Sequence, residues 1–282
     1  MSPGVRESYG VRLARVVAER GPLCVGIDPH PGVLRAWGLD ADVAGLERCA
    51  RRMVEALAGT VAVLKPQSAF FEAYGSAGAA VLERTLADVA QAGALSLLDV
   101  KRGDIGSTMD AYAAAYLTDG SPLAADAITL SPYLGFGSLD GAIAVAQTHG
   151  RGVYVLALTS NPEGPQVQHA TTPDGTTVGQ VVVDEAARRN AGDTPGDVGV
   201  VVGATTGRTG TRFGELNGSI LVPGLGAQGG TAAGLAEIFG AALPLVLPTT
   251  SREVMGAGPD PDRLRDAAAA VVASVTEVLR PS

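Results

Sequence analysis

The sequence predicts a (β/α)8 barrel, the TIM-barrel class of α/β fold, on three observations. Eight short apolar runs recur along the chain, longer Ala-rich stretches of helical period separate them, and the alternation fills ~250 residues, the usual extent of that fold. The runs are continuously apolar rather than alternating, as parallel strands buried on both faces require. A doubly wound parallel sheet of the same length is the competing arrangement, and periodicity alone does not separate the two.

Taken in order, the predicted strands are residues 23–27 (LCVGI), 60–64 (TVAVL), 94–100 (ALSLLDV), 127–130 (AITL), 153–158 (VYVLAL), 198–202 (VGVVV), 219–222 (SILV) and 244–247 (PLVL). Helices are expected over 42–57, 78–92, 107–117, 138–148, 177–190 and 231–239. A closing helix follows Asp260-Pro261, an N-cap residue with proline at the first helical position. Two segments break the rhythm. Residues 161–176 are rich in Pro, Gly and Thr and read as a long loop after the fifth strand. Residues 203–218 carry too many glycines and too little period for a full helix, so the sixth helix is expected to be short or absent. Neither has the character of an interdomain linker and no repeat is visible, so residues 1–282 read as one domain.

Composition narrows the function. The chain is 46% apolar with only 18% charged residues, ample for a large core and unlike a disordered chain. A net charge of −8 argues against nucleic-acid or anionic-membrane partners, which need a basic surface. No apolar run reaches the ~18 residues of a membrane span, and the N-terminus lacks a signal-peptide core. Cys24 and Cys49 have no metal-ligand spacing and read as reduced core thiols of a cytoplasmic protein. His30, His149 and His169 are scattered, which gives a metal site little support.

One count is more specific. Of 21 basic residues only Lys65 and Lys101 are lysines, and both fall at the C-terminal ends of predicted strands, where barrel sites form. Arg is a planar fork that stays protonated, whereas Lys is a compact charge able to give up a proton. In Asp99-Val100-Lys101-Arg102-Gly103-Asp104, two carboxylates flank one ammonium, and Asp99 and Lys101, two apart on a strand, point the same way. A rim salt-bridge cluster is the plainer reading of that triplet. A buried Asp–Lys pair is a weak stabiliser, however, whereas a lysine between carboxylates is held protonated, as a general acid must be. Asp28, after the first strand, is either a turn residue before Pro29 or an acceptor for substrate hydroxyls. Gly224, Gly226 and Gly229 form a G-x-G-x-x-G between strand 7 and a helix, suggesting phosphate held by backbone N–H groups. The acidic residue a dinucleotide site wants ~20 positions on is missing, while Arg252 after strand 8 offers a phosphate its fork, so phosphate without dinucleotide is the better reading.

Residues 65–72 (KPQSAFFE), 99–108 (DVKRGDIGST), 131–135 (SPYLG) and 223–230 (PGLGAQGG) resemble the orotidine 5′-phosphate decarboxylase family, in its longer bacterial subgroup often called type 2. The resemblance runs from about Asp28 to Arg252. It implies a (β/α)8 homodimer that decarboxylates orotidine 5′-phosphate to UMP, the last step of pyrimidine synthesis, without metal or cofactor. Carried over by position, Lys101 matches the lysine that protonates C6 of the pyrimidine and Asp99 the carboxylate beside the substrate's own. Lys65 completes the charged array, and Asp104 matches an aspartate contributed by the partner subunit. Asp28 and Thr108 match ribose ligands, Thr108 also across the interface. Ser160 matches the serine on the pyrimidine amide, Pro223 the proline beside the base, and Gln228 and Arg252 the phosphate ligands. The loop after strand 7 is short here, and the 161–176 loop is a candidate for the cover that a longer loop gives elsewhere.

Three other readings share parts of this pattern. A Mg2+-dependent sister enzyme acting on sugar phosphates would carry an acid where strand 2 has Lys65, and a second lysine there would repel the metal. A nicotinamide oxidoreductase lacks its ribose-binding acid, and a non-catalytic phosphate-binding barrel leaves the placement of both lysines unexplained.

Overall fold

A computed structural model describes residues 6–207, 209–226 and 229–279. Eight strands, β1 (Cys24–Ile27), β2 (Val63–Pro66), β3 (Leu95–Arg102), β4 (Ala127–Leu130), β5 (Gly152–Leu158), β6 (Val198–Val202), β7 (Ile220–Pro223) and β8 (Val246–Thr250), form a closed barrel in sequence order. Every neighbouring pair is parallel, and Cys24 beside Thr249 closes the ring between β1 and β8. Closure excludes the doubly wound sheet.

The strand period of two divides the core. Inward-facing Cys24, Val63, Leu97, Ala127, Tyr154, Val201, Leu221 and Leu247 fill the lumen, while the alternate residues pack against the helices. Two residues further along the same inward files stand Lys65, Asp99, Thr129, Pro223 and Thr249, so an apolar floor gives way to a polar mouth at the C-terminal end.

The N-terminal end is plugged by the helix Tyr9–Arg20, which the sequence reading left unassigned although Tyr9, Leu13 and Val16 carry helical spacing. Tyr9 Oη lies 3.1 Å from Tyr154 Oη inside the barrel. Buried Arg12 donates to Asp126 Oδ1 at 2.7 Å.

The expected helices are present with small shifts at their ends. Asp42, Thr177 and Thr231 cap theirs by accepting backbone N–H bonds. The expected helix 138–148 is Asp140–Thr148, preceded by a 3-10 turn over Phe136–Leu139. Three strands, β2, β3 and β8, differ from expectation by more than a residue at one end or both. β2 begins at Val63 rather than 60 because 58–62 is spent turning out of the preceding helix. β8 begins at Val246 rather than 244 because Pro244 has no N–H for a ladder and sits in a 3-10 helix, Gly240–Leu245; it also runs on to Thr250. β3 continues past 100 to Arg102 through a bulge. β2 likewise reaches Pro66, so that Lys65 lies within the strand rather than after it. The 161–176 loop contains one short helix, Pro165–Gln168, and the described part of 203–218 contains none.

Candidate active site

A cavity of about 290 Å³ opens at the C-terminal mouth of the barrel, lined by seven of the residues singled out from sequence: Asp28, Lys65, Asp99, Lys101, Ser160, Pro223 and Arg252. They arrive from β1, β2, β3, β5, β7 and β8, which only closure of the barrel brings together.

Asp99 is the centre of the charge arrangement. Its Oδ2 accepts from Lys65 Nζ at 3.1 Å, and its Oδ1 accepts from Lys101 Nζ at 2.6 Å and from Thr129 Oγ1 at 2.8 Å. Lys65 is almost wholly buried, with 6% of its side chain exposed, whereas Lys101 keeps 46% exposed. The two amines therefore converge on one carboxylate, one from the lumen and one from the rim.

Burial pushes the Asp99 carboxyl upward, but the charges of Lys65 and Lys101, with hydrogen bonds from Lys101 and Thr129, outweigh it and hold the group well below the usual carboxylate range. For Lys65, burial pulls the ammonium downward and the charges of Asp99 and then Asp28 overcome it, leaving it above an ordinary lysine. Both shifts favour the ionised pair. Cys24, at the barrel floor, is pushed up to about 12, chiefly by burial, and stays a thiol.

Asp28 Oδ1 is buried and lacks a hydrogen-bond partner among the described residues. An acceptor left open in a pocket wall calls for a donor from whatever fills the pocket. Ser160 stands at the end of β5, where Gly203 makes room for it: a Cβ on Gly203 would lie 2.1 Å from Ser160 Oγ.

Several expectations need correction. Lys101 does not lie between two carboxylates of its own chain. Among the described residues its ammonium bonds Asp99 alone, and Asp104 Oδ1 instead accepts from Ile105 N at 2.8 Å. Asp104 and Thr108, which the resemblance assigns to a partner subunit's site, line no part of the cavity. Three described amides of the glycine-rich loop are not open, contrary to expectation. Gly226, Gly229 and Gly230 N–H groups donate to carbonyls within the loop at 2.8–3.0 Å. Gln228 lies outside the described residues. Sequence reasoning also passed over Gln67, whose Oε1 lies 3.4 Å from Lys65 Nζ, and Thr129. Each sits two residues beyond an inward-facing residue of its own strand, Gln67 beyond Lys65 and Thr129 beyond Ala127, and that period of two was the signal available.

No three His, Cys, Asp or Glu side chains among the described residues stand where they could jointly hold a metal ion. No described helix is long and apolar enough to cross a membrane.

Comparison with known proteins gives one answer throughout. A family model described as orotidine 5′-phosphate decarboxylase / HUMPS family matches residues 21–266. A protein of Salinispora tropica named orotidine 5′-phosphate decarboxylase is 61% identical over 277 residues, covering 98% of this chain and 100% of that one. The like-named protein of Streptomyces coelicolor is 56% identical over 263 residues, covering 93% and 95%. The crystal structure of a Streptomyces avermitilis protein provisionally assigned the same activity superposes with a TM-score of 0.96 at 52% identity, over 99% of this chain and 98% of that one.

Proposed function

This chain belongs to the orotidine 5′-phosphate decarboxylase / HUMPS family and acts as its decarboxylases do, as a carboxy-lyase of pyrimidine biosynthesis; we propose that Lys101, held by Asp99 and Lys65, carries the chemistry without metal or cofactor. The observation that carries this reading is that the chain's two lysines bond opposite oxygens of one buried carboxylate at the barrel mouth.

Loss of CO2 breaks the bond at C6 of the pyrimidine and leaves its electron pair on a ring carbon that delocalises it poorly. The barrier is then electrostatic, and a fixed cation at C6 is the direct remedy. Lys101 supplies that cation and then transfers a proton from Nζ to C6, giving UMP and a neutral amine that solvent reprotonates. Asp99 fixes Lys101 and presents negative charge to the substrate carboxylate, and Lys65 keeps Asp99 ionised in a buried site. Asp28 accepts from the ribose with its open oxygen, Ser160 meets the pyrimidine amide, Pro223 lies beside the base, and Arg252 with Gln228 holds the phosphate.

Asp104 and Thr108 fit this scheme as residues of a neighbouring subunit in a homodimer. Two features favour it: neither lines its own subunit's cavity, and Ile105, Tyr133 and Leu134 leave strongly exposed apolar side chains on the adjoining loops, with Tyr133 80% accessible. Lys101 would then gain its second carboxylate, and its cover from water, on association. Mixing Lys101→Ala with Asp104→Ala subunits is expected to restore about a quarter of wild-type activity, since half the dimers are mixed and each has one intact site. No recovery in verified heterodimers would place Asp104 in its own subunit's site.

The reading as a whole is tested by following the absorbance of orotidine 5′-phosphate with and without EDTA. Equal decay in both is expected. Activity that chelation removes would favour a metal-dependent sister chemistry, against which the Lys65 ammonium argues at the end of β2.

A further inference from the structure

The pairing of β3 with β4 is interrupted at the site. Leu98 pairs with Ile128 and Arg102 pairs with Leu130, so three residues, Asp99, Val100 and Lys101, face the single Thr129. Such a bulge leaves backbone groups without ladder partners and re-aims side chains. Here Lys101 takes a φ of 46°, in the left-handed region that a residue with a Cβ seldom occupies. Lys101 has no partner residue in the β4 register, and its N–H donates to Thr129 Oγ1 at 2.9 Å.

The direction of the remaining bond follows from the chemistry. An amide N–H can only donate, so the Thr129 hydroxyl accepts from Lys101 and its own proton goes to Asp99 Oδ1, 2.8 Å away. Thr129 is 1% exposed, so neither bond has water as a substitute. The same Asp99 oxygen receives the Lys101 ammonium. One hydroxyl thus closes a ring that runs through the Lys101 backbone, its side chain and Asp99, fixing both ends of the lysine.

We propose that Thr129 is a positioning residue for the decarboxylation, setting where the Lys101 ammonium stands by tying its strained backbone to the Asp99 carboxylate. This inference rests on the decarboxylase reading above. Although Thr129 borders the cavity, the bond it accepts and the bond it donates both go to Lys101 and Asp99, so its role is to position them.

Thr129→Val keeps the β-branched shape and removes both bonds, and Thr129→Ser keeps the hydroxyl and removes only the methyl. For Thr129→Val, kcat is expected to fall on the order of 10- to 100-fold, the scale of an ångström of misplacement at a reacting group. KM for orotidine 5′-phosphate should change little, because the phosphate and ribose contacts are untouched. Exchange of the C6 hydrogen of UMP in D2O, which reads proton transfer to and from Lys101 without CO2 loss, should fall in parallel. Thr129→Ser should restore both rates. Should Thr129→Val be recovered unfolded, Thr129→Ala also lacks the hydroxyl and bears the same comparison. Wild-type kcat in the variants without the hydroxyl, a fall in Thr129→Ser equal to that in Thr129→Val, or an effect confined to KM would overturn the inference alone. A wild-type protein inactive on orotidine 5′-phosphate would overturn the decarboxylase reading with it.

Discussion

Replacing Lys101 by alanine is expected to lower kcat by about a thousandfold or more while leaving the barrel folded. The size follows from Coulomb's law: a unit charge ~4 Å from the developing carbanion, at an effective dielectric near 20, contributes ~4 kcal/mol, or about three decades of rate. Loss of the proton donor adds to that. The fold is spared because Lys101 lies at the rim and Asp99 keeps its bonds to Lys65 and Thr129 when the rim amine is gone. One ammonium does not account for the whole rate enhancement. Enzymatic barrier lowering of ~8–23 kcal/mol exceeds what one ammonium supplies, so contacts to phosphate and ribose must hold the reacting group against its charged neighbours. Steady-state kinetics with a parallel melting curve checks both halves. Near-normal turnover in a folded Lys101→Ala protein would remove Lys101 as the acid.

The barrel was readable in the sequence because its signal is repeated: eight apolar runs in a parallel sheet cannot hide among polar faces. The elements missed were those whose reason is tertiary. The helix Tyr9–Arg20 has an ordinary amphipathic pattern, and only the closed floor around Tyr154 shows that it plugs the lumen. The start of β8 was misplaced because PLVL reads as one apolar run until Pro244 is seen to lack a ladder donor. At the site, two scarce lysines at strand ends singled out Lys65, Lys101 and Asp99, since residue type and position coincided. The period of two could place Thr129 at the mouth, but its role stayed hidden because it depends on a bulge three residues wide in the neighbouring strand. The glycine-rich loop shows the converse failure. Its spacing suggested free amides, but spacing carries no information on whether the loop bonds itself, as Gly226, Gly229 and Gly230 do.

Asp99→Asn tests the charged array from its buried side, and its expected effect is on stability as well as rate. The substitution leaves Lys65, 6% exposed, without its main countercharge, and removing one partner of a buried pair typically costs about 3–5 kcal/mol. The pH dependence should separate this cause from a packing fault. In the wild type, Asp99 titrates below its ordinary 3.8, so its contribution is present above that value and is lost as pH falls through the lowered folded-state value. Lys65 titrates above its ordinary 10.5, so its contribution is present below that value and is lost as pH rises through the raised one. Between those limits neither group takes up or releases protons on unfolding, so this pair gives the wild-type Tm no slope from about pH 5 to 9. In Asp99→Asn, burial dominates Lys65 and lowers its folded-state value, only partly opposed by Asp28. The unfolded chain then binds more protons than the folded one, and stability rises with pH through the alkaline range. Turnover should fall together with stability at neutral pH, because Lys101 loses the negative charge that holds its ammonium. A Tm for Asp99→Asn equal to the wild type's and equally flat with pH would mean that Lys65 finds another countercharge, and that Asp99 does not organise the two amines.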